Sequence, residues 1–205
     1  MLTNYSSTPK VPKLSRIANF DDLDPLRLEK NVSIEIIEPG RPIPGDAQLI
    51  LLPGSKSTIS DLQFLRSQGW DIDIAAHIRR GGHILGICGG YQMLGTSIRD
   101  PDKIESNLEK VRGLGLINVK TTMHAEKKLD LVSGIHIKSG QFITGYEMHI
   151  GKTTGPDCKN PLLEIEGQPS GATAKNGKVY GCYLHGMFSS DSFRCLLYTS
   201  PSPRD

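Results

Sequence analysis

Three features of the sequence predict an α/β fold: a doubly wound, mostly parallel sheet with helices on both faces, followed by a β-rich second half. Leu49-Ile50-Leu51-Leu52 before Pro53-Gly54, and His83-Ile84-Leu85-Gly86-Ile87 before Cys88, are short aliphatic runs with hard stops. That is the pattern of strands buried on both faces. Between them lie two stretches of helical period, and strand alternating with helix argues for a parallel sheet. From Gly113 onward the texture changes to several short β-like segments.

Taken in order, Leu14 to Ala18 is apolar-rich and reads as a first strand after a lead-in over residues 1–10. Asp24-Pro25 offers an N-cap followed by proline at the first helical position. Ser33-Ile34-Glu35-Ile36-Ile37 alternates and is β-branched, a strand ended by Pro39-Gly40. After the strand at Leu49, Ser60 with Gln63 forms a capping box, and Ile59, Leu62 and Leu65 keep helical spacing up to Gly69. A second helix runs to about Arg80 and stops at Gly81-Gly82. In the second half Asn176-Gly177 is a hairpin turn signal. The strand it starts, from Val179 to Leu184, delivers His185 at its end.

The chain has 205 residues, enough for one domain or one with a small appendage. Apolar residues make up 37%, enough for a core, and the longest aliphatic run is far too short to span a bilayer. The first twenty residues hold no long apolar stretch, so a secretory signal is not expected and a cytoplasmic location is. Lys and Arg number 24 against 22 Asp and Glu, a net charge of +2 that provides no basic field for nucleic acid. Four cysteines without a CxxC pair suggest neither a disulfide framework nor a zinc site. Residues 195–205 do not read like the chain before them; they resemble the translation of a sequencing adapter, and the native domain is expected to continue past Arg194.

Chemistry concentrates in Gly86-Ile87-Cys88-Gly89-Gly90-Tyr91-Gln92-Met93-Leu94-Gly95. A strand, a sharp turn bearing the nucleophile and a helix form the cysteine version of the G-x-S-x-G elbow. Glycines on both sides relieve the crowding that the strained turn creates, and a helix N-terminus favours thiolate over thiol. The opposing reading is a buried cysteine acting as a small hydrophobe; the strand-turn-helix context favours the nucleophile. A thiol nucleophile needs a base. His77 and His83 read as surface or cap residues, and His124 and His136 lie in polar stretches. His149 could be functional or a satisfied strand residue. His185, between a strand end and Gly186, stands where sheet folds present catalytic groups, though on spacing alone a structural role is as good a reading.

GICGGYQMLG followed far downstream by YLHG resembles a class I, triad-type glutamine amidotransferase domain with its flavodoxin-like fold. The likeness is narrower to the glutaminase domains of the cobyric acid synthase group. RIANFDDLDPL, LPGSKSTISDLQFLRSQGWD, IAAHIRRGGHILGICGGYQMLG, GYEMHIG and GCYLHGMF carry it over residues 11–194, in the order of that family. The resemblance implies that Cys88 attacks the carboxamide of glutamine and that His185 moves the protons. It implies an oxyanion hole from backbone N–H groups of Gly89 and of Gly54 or its neighbour, and contact of Gln92 with the substrate. It implies no cofactor or metal in this domain. ATP and Mg²⁺ would belong to a synthetase domain, normally N-terminal in the same chain, which amidates corrinoid carboxylates with the ammonia.

Two positions depart from the wider pattern. Class I enzymes place Glu two residues after the histidine; here that residue is Met187, as in the cobyric acid synthase group. The orienter of His185 is therefore open, with Glu147 a weak candidate, and slow turnover is the expectation. Cys182, where threonine is usual, reads as packing. Two alternatives stand beside the corrinoid reading: a glutaminase subunit serving a Mur-ligase-like partner on peptidoglycan precursors, and an inactive amidotransferase-like docking module.

Overall fold

The computed structural model describes residues 8–30 and 32–194, with residues 127 and 128 described for their backbone alone. The first seven residues of the expected lead-in and the adapter-like residues 195–205 lie outside the described residues.

The chain enters on β1 (Lys10–Pro12), then β2 (Ile17–Ala18), a 3-10 turn over Phe20–Leu23 and α1 (Asp24–Arg27). β3 (Glu35–Ile37), β4 (Leu49–Leu52) and β5 (Gly54–Ser55) lead to α2 (Thr58–Ser67) and α3 (Trp70–Arg79). β6 (His83–Ile87) runs into α4 (Gly89–Leu94). The second half is β7 (Ser97–Arg99), β8 (Lys110–Arg112), β9 (Lys120–His136), β10 (Gln141–Thr154), β11 (Leu163–Ile165), β12 (Gln168–Ser170), β13 (Ala172–Thr173), β14 (Val179–Cys182) and β15 (Leu184–His185).

The first sheet has the order β13-β14-β6-β4-β1-β3, parallel throughout except for the edge strand β13. Its five parallel strands follow the 2-1-3-4-5 order of doubly wound folds. The core lies on this sheet, where Val11, Ile37, Ile50, Leu51, Leu52, Ile84 and Ile87 are buried. α2 and α3 add Leu62, Leu65 and Trp70, whose indole N–H donates to the Arg41 carbonyl at 2.8 Å. A second sheet, order β12-β11-β9-β10-β15 with β7 and β8 attached, is built around the β9–β10 ribbon.

The first strand is Lys10–Pro12, which begins on the last residue of the expected lead-in, while of Leu14 to Ala18 only Ile17–Ala18 is extended, paired with β5. The sequence hides β1 because its outer residues are Lys and Pro. Lys10 is buried beside Glu35, with Nζ 2.6 Å from Oε2, so a charged residue occupies a core strand by being paired. The helix expected to open at Ser60 opens at Thr58. Its Ile59 N–H is capped from a remote loop by Glu105 Oε2 at 3.2 Å rather than by a box within the helix. His77, expected at the surface, is a buried core histidine whose Nε2 lies 2.9 Å from the His83 carbonyl.

The short segments expected after Gly113 include two strands of 17 and 14 residues that form one ribbon. A bulge at Gly151, with φ +90°, interrupts its register between Ile150 and Lys152. The Asn176-Gly177 turn forms as expected: Gly177 has φ +65°, its N–H donates to Ala174, and the Lys178 N–H donates to Asn176 Oδ1. The strand after it divides, Val179–Cys182 in the first sheet and Leu184–His185 in the second.

Candidate active site

That division sets the site. β14 lies parallel to β6 with Cys182 opposite Ile87, so the chain leaves the first sheet level with Cys88. Three residues on, His185 pairs with Tyr146 of β10. Cysteine and histidine meet where the two sheets join, beyond the C-terminal ends of parallel strands.

Cys88 has φ +51° and ψ −111°, a conformation L-residues avoid. Its N–H donates to the Cys182 carbonyl at 2.8 Å, and its own carbonyl accepts the first bond of α4, from Gln92 N–H at 3.1 Å. The glycines are required by space. A Cβ on Gly90 would sit 2.1 Å from the Leu52 carbonyl oxygen, and one on Gly86 would meet Leu94 at 2.6 Å. The strained elbow expected from GICGG is therefore present, although the helix it opens is only six residues long.

His185 is fully buried and held on every side. Its Nδ1 is 2.7 Å from Asp22 Oδ2, and Asp22 Oδ1 accepts the Gly186 N–H at 2.7 Å. The Asn19 amide lies 3.2 and 3.3 Å from the two ring nitrogens. The Tyr146 ring stacks on the imidazole with centroids 5.2 Å apart. Burial pulls the proton affinity of His185 down, but hydrogen bonds from the ring to Asp22 and to the Cys88 sulfur outweigh it and push the pKa up to about 9. Asp22 and Asn19 reach the ring because Asn19 takes a left-handed conformation, φ 57°, and starts the 3-10 turn that carries Asp22 inward. Neither was singled out from the sequence. The only signal was their presence in RIANFDDLDPL, a stretch that shows similarity but no chemistry of its own.

The carboxylate bonded to His185 is thus that of Asp22. Glu147, the candidate raised from sequence, is buried and accepts from the Ser170 hydroxyl at 3.3 Å. Gly54 and Gly89 both line the site. A Cβ on Gly54 would stand 3.0 Å from His185 Cε1, and one on Gly89 would stand 2.9 Å from the Ser55 backbone nitrogen. The Gly54-Ser55 segment is pinned from below by Asp61, a buried residue of α2 whose carboxylate accepts the Ser15 and Ser55 hydroxyls and the Arg16 N–H.

Gln92 lies behind Cys88, and its amide is committed to the fold. Oε1 accepts from Thr58 Oγ1 at 3.0 Å, and Nε2 donates to the Ile150 carbonyl at 3.0 Å and to the Tyr183 hydroxyl at 3.3 Å. It ties α4 to α2 and to the ribbon. The ribbon also covers Cys88: its thiol donates to the Met148 carbonyl at 3.3 Å, and the residue is only 8% exposed. A groove of about 580 Å³ opens on the Asp22 side of the histidine, lined in part by Asp21, Asp22, Tyr146 and Gly186. His149 stacks on Tyr183 at 3.7 Å between centroids, and His83 stacks on Tyr180. His136 packs on Phe193, and His124 is exposed. Cys182 is fully buried, and burial raises its pKa far above the ordinary thiol range, as a packing role requires.

A thiol on a strained elbow with a carboxylate-held imidazole against it is an arrangement suited to acyl transfer. Solved structures share the fold. The PurLQS structure from Thermotoga maritima matches with a TM-score of 0.68 at 18% identity over 94% of this chain and 98% of that chain. A glutamine amidotransferase crystal structure matches at 0.61 and 14% identity over 93% and 96%. In sequence, the cobyric acid synthase of Cereibacter sphaeroides strain ATCC 17023 is 58% identical over 180 residues, 88% of this chain and 37% of that protein. Those of Ruegeria sp. TM1040 and Bradyrhizobium diazoefficiens are 57% and 56% identical over 90% and 91% of this chain. The chain therefore spans under two-fifths of the length of these relatives. Residues 10–193 match one domain family along nearly the whole described length, and the chain belongs to the CobB/CobQ-like glutamine amidotransferase domains.

Proposed function

We propose that this chain is the glutaminase part of a cobyric acid synthase, with Cys88 as nucleophile and His185 as proton carrier. The observation that carries the chemistry is the strained Cys88 at φ +51° beside a histidine held by a carboxylate. The similarity to cobyric acid synthases over about nine-tenths of the chain supports the pathway.

In this reading His185 already holds the proton that Cys88 gives up, and Cys88 Sγ attacks the carboxamide carbon of glutamine. The tetrahedral oxyanion is met by the N–H groups of Gly89 and of Gly54 or Ser55. The C–N bond then breaks, His185 returns the proton to the departing ammonia, and a glutamyl thioester remains. Water gives a proton to His185, attacks the thioester and releases glutamate, and the thiol is restored. The balance is glutamine plus water to glutamate plus ammonia. Gln92 supports this site by fixing α4 against the ribbon, and substrate contact through it requires one of its present bonds to open. The ammonia serves an ATP- and Mg²⁺-dependent synthetase that amidates corrinoid carboxylates, the part of the relatives that this chain does not span.

A diazoketone analogue of glutamine should alkylate Cys88 in this chain, and Cys88→Ser should abolish labelling. In the full-length synthase the same substitution should remove glutamine-dependent amidation and leave ammonia-dependent amidation within about twofold. Absence of labelling in the folded chain would favour the docking module instead. Loss of both amidations with the fold intact would remove Cys88 from the role given to it.

A further inference from the structure

We propose that Asp22 is the positioning residue of His185, so that the third member of the triad comes from the N-terminal 3-10 turn rather than from the sequence next to the histidine. The inference rests on the reading of Cys88 and His185 given above and deepens it. Both carboxylate oxygens of Asp22 are used on the same target. Oδ2 takes Nδ1 of the ring at 2.7 Å, and Oδ1 takes the N–H of Gly186, the residue next to the histidine. A carboxylate bonded to the side chain and to the adjoining backbone at once fixes the ring plane and selects the Nδ1–H tautomer. Nε2 is then the ring nitrogen left for the thiol. Asp22 is buried, so this bond is not exchanged with bulk water, and charge-assisted bonds in such surroundings are strong.

Among the described residues, the titratable groups around His185 are few. Asp22 comes from the 3-10 turn, Cys88 from the elbow and Tyr146 from β10. Asp21 lies next to Asp22 and acts on Tyr146. Cys182 of β14 is the neighbouring buried thiol, and Glu147, Asp22 and Cys88 act on it. β5, packed on the ring through Gly54, brings no titratable side chain of its own. Of these groups only Asp22 is an anion directly bonded to the ring, so the proton affinity of His185 is the quantity that Asp22 should control.

The test is an NMR titration of the His185 imidazole in the intact 205-residue chain, beside the Asp22→Asn and Asp22→Glu variants. Asn keeps an acceptor for the Gly186 N–H and removes the charge. Glu keeps the charge on a longer arm and is measured in case Asn does not fold. The expected result is a titration well above the ordinary histidine range in the unaltered chain, moved down by more than one pH unit in Asp22→Asn and partly restored in Asp22→Glu. Glutamine hydrolysis should lose kcat by roughly 10²–10⁴-fold in Asp22→Asn, with KM changed less than threefold. An unmoved titration, or a kcat within threefold of the original in a folded Asp22→Asn chain, would overturn the inference. The two readings fail separately: if the unaltered chain neither hydrolyses glutamine nor takes the diazoketone label, the glutaminase reading falls, while the titration still decides whether Asp22 governs His185.

Discussion

His185 has no carboxylate within two residues of it in the chain, and Met187 stands where the wider family carries Glu. Asp22, 163 residues earlier, lies against it instead. If Asp22 positions His185 as proposed, Met187 in place of Glu gives no ground of its own for slow turnover. The same contact gives a pH dependence of stability. In the folded chain His185 holds its proton up to about pH 9, whereas the unfolded value is 6.5. A raised folded-state pKa stabilises fully below pH 6.5 and ceases to do so as pH rises through about 9. The melting temperature of the unaltered chain should therefore fall across that window, and fall less in Asp22→Asn. A flat profile from pH 6.5 to 9 in circular dichroism melts would contradict the assigned interaction.

Elements were legible wherever local pattern and tertiary environment agree. β4 and β6 begin and end where the aliphatic runs do, because strands buried on both faces need apolar residues at every position. The ribbon was not legible as a unit. Lys120–His136 carries charged and polar residues without clean alternation, and its length is fixed by pairing with β10, a non-local matter. Gln92 shows a related difficulty: its type and place suggest a substrate contact, while its amide holds α4, α2 and the ribbon together. Gln92→Ala should accordingly lower unfolding stability by about 1–3 kcal/mol, since it leaves buried donors and acceptors without partners. Urea titration measures this. A raised KM with unchanged stability would instead assign Gln92 to substrate.

At the scale of the molecule, the N-terminal segment belongs to both the core and the site. β1 lies between β4 and β3 in the first sheet, and ten residues later the same segment supplies Asp22. Val11→Asp would place an unpaired charge at a fully buried position of that strand, at a cost of several kcal/mol. The variant should lose cooperative unfolding and glutamine-analogue labelling together, as followed by circular dichroism and mass spectrometry. A cooperative melt within a few degrees of the original would show that β1 is dispensable to the sheet.

Local sequence was enough to give the fold class and the strained turn that carries Cys88. These follow from local rules: aliphatic runs with glycine and proline stops, and glycines at Gly86 and Gly90 where any side chain would collide with neighbouring strand and helix. Folding in three dimensions settles which carboxylate bonds to His185, what caps α2, and that Lys10 belongs to a core strand. Each of these is a pairing of charged or polar groups far apart in the chain: Asp22 with His185, Glu105 with Ile59, Lys10 with Glu35. Burial makes such pairings obligatory, but nothing local says which partner will be found, because that depends on how two sheets meet.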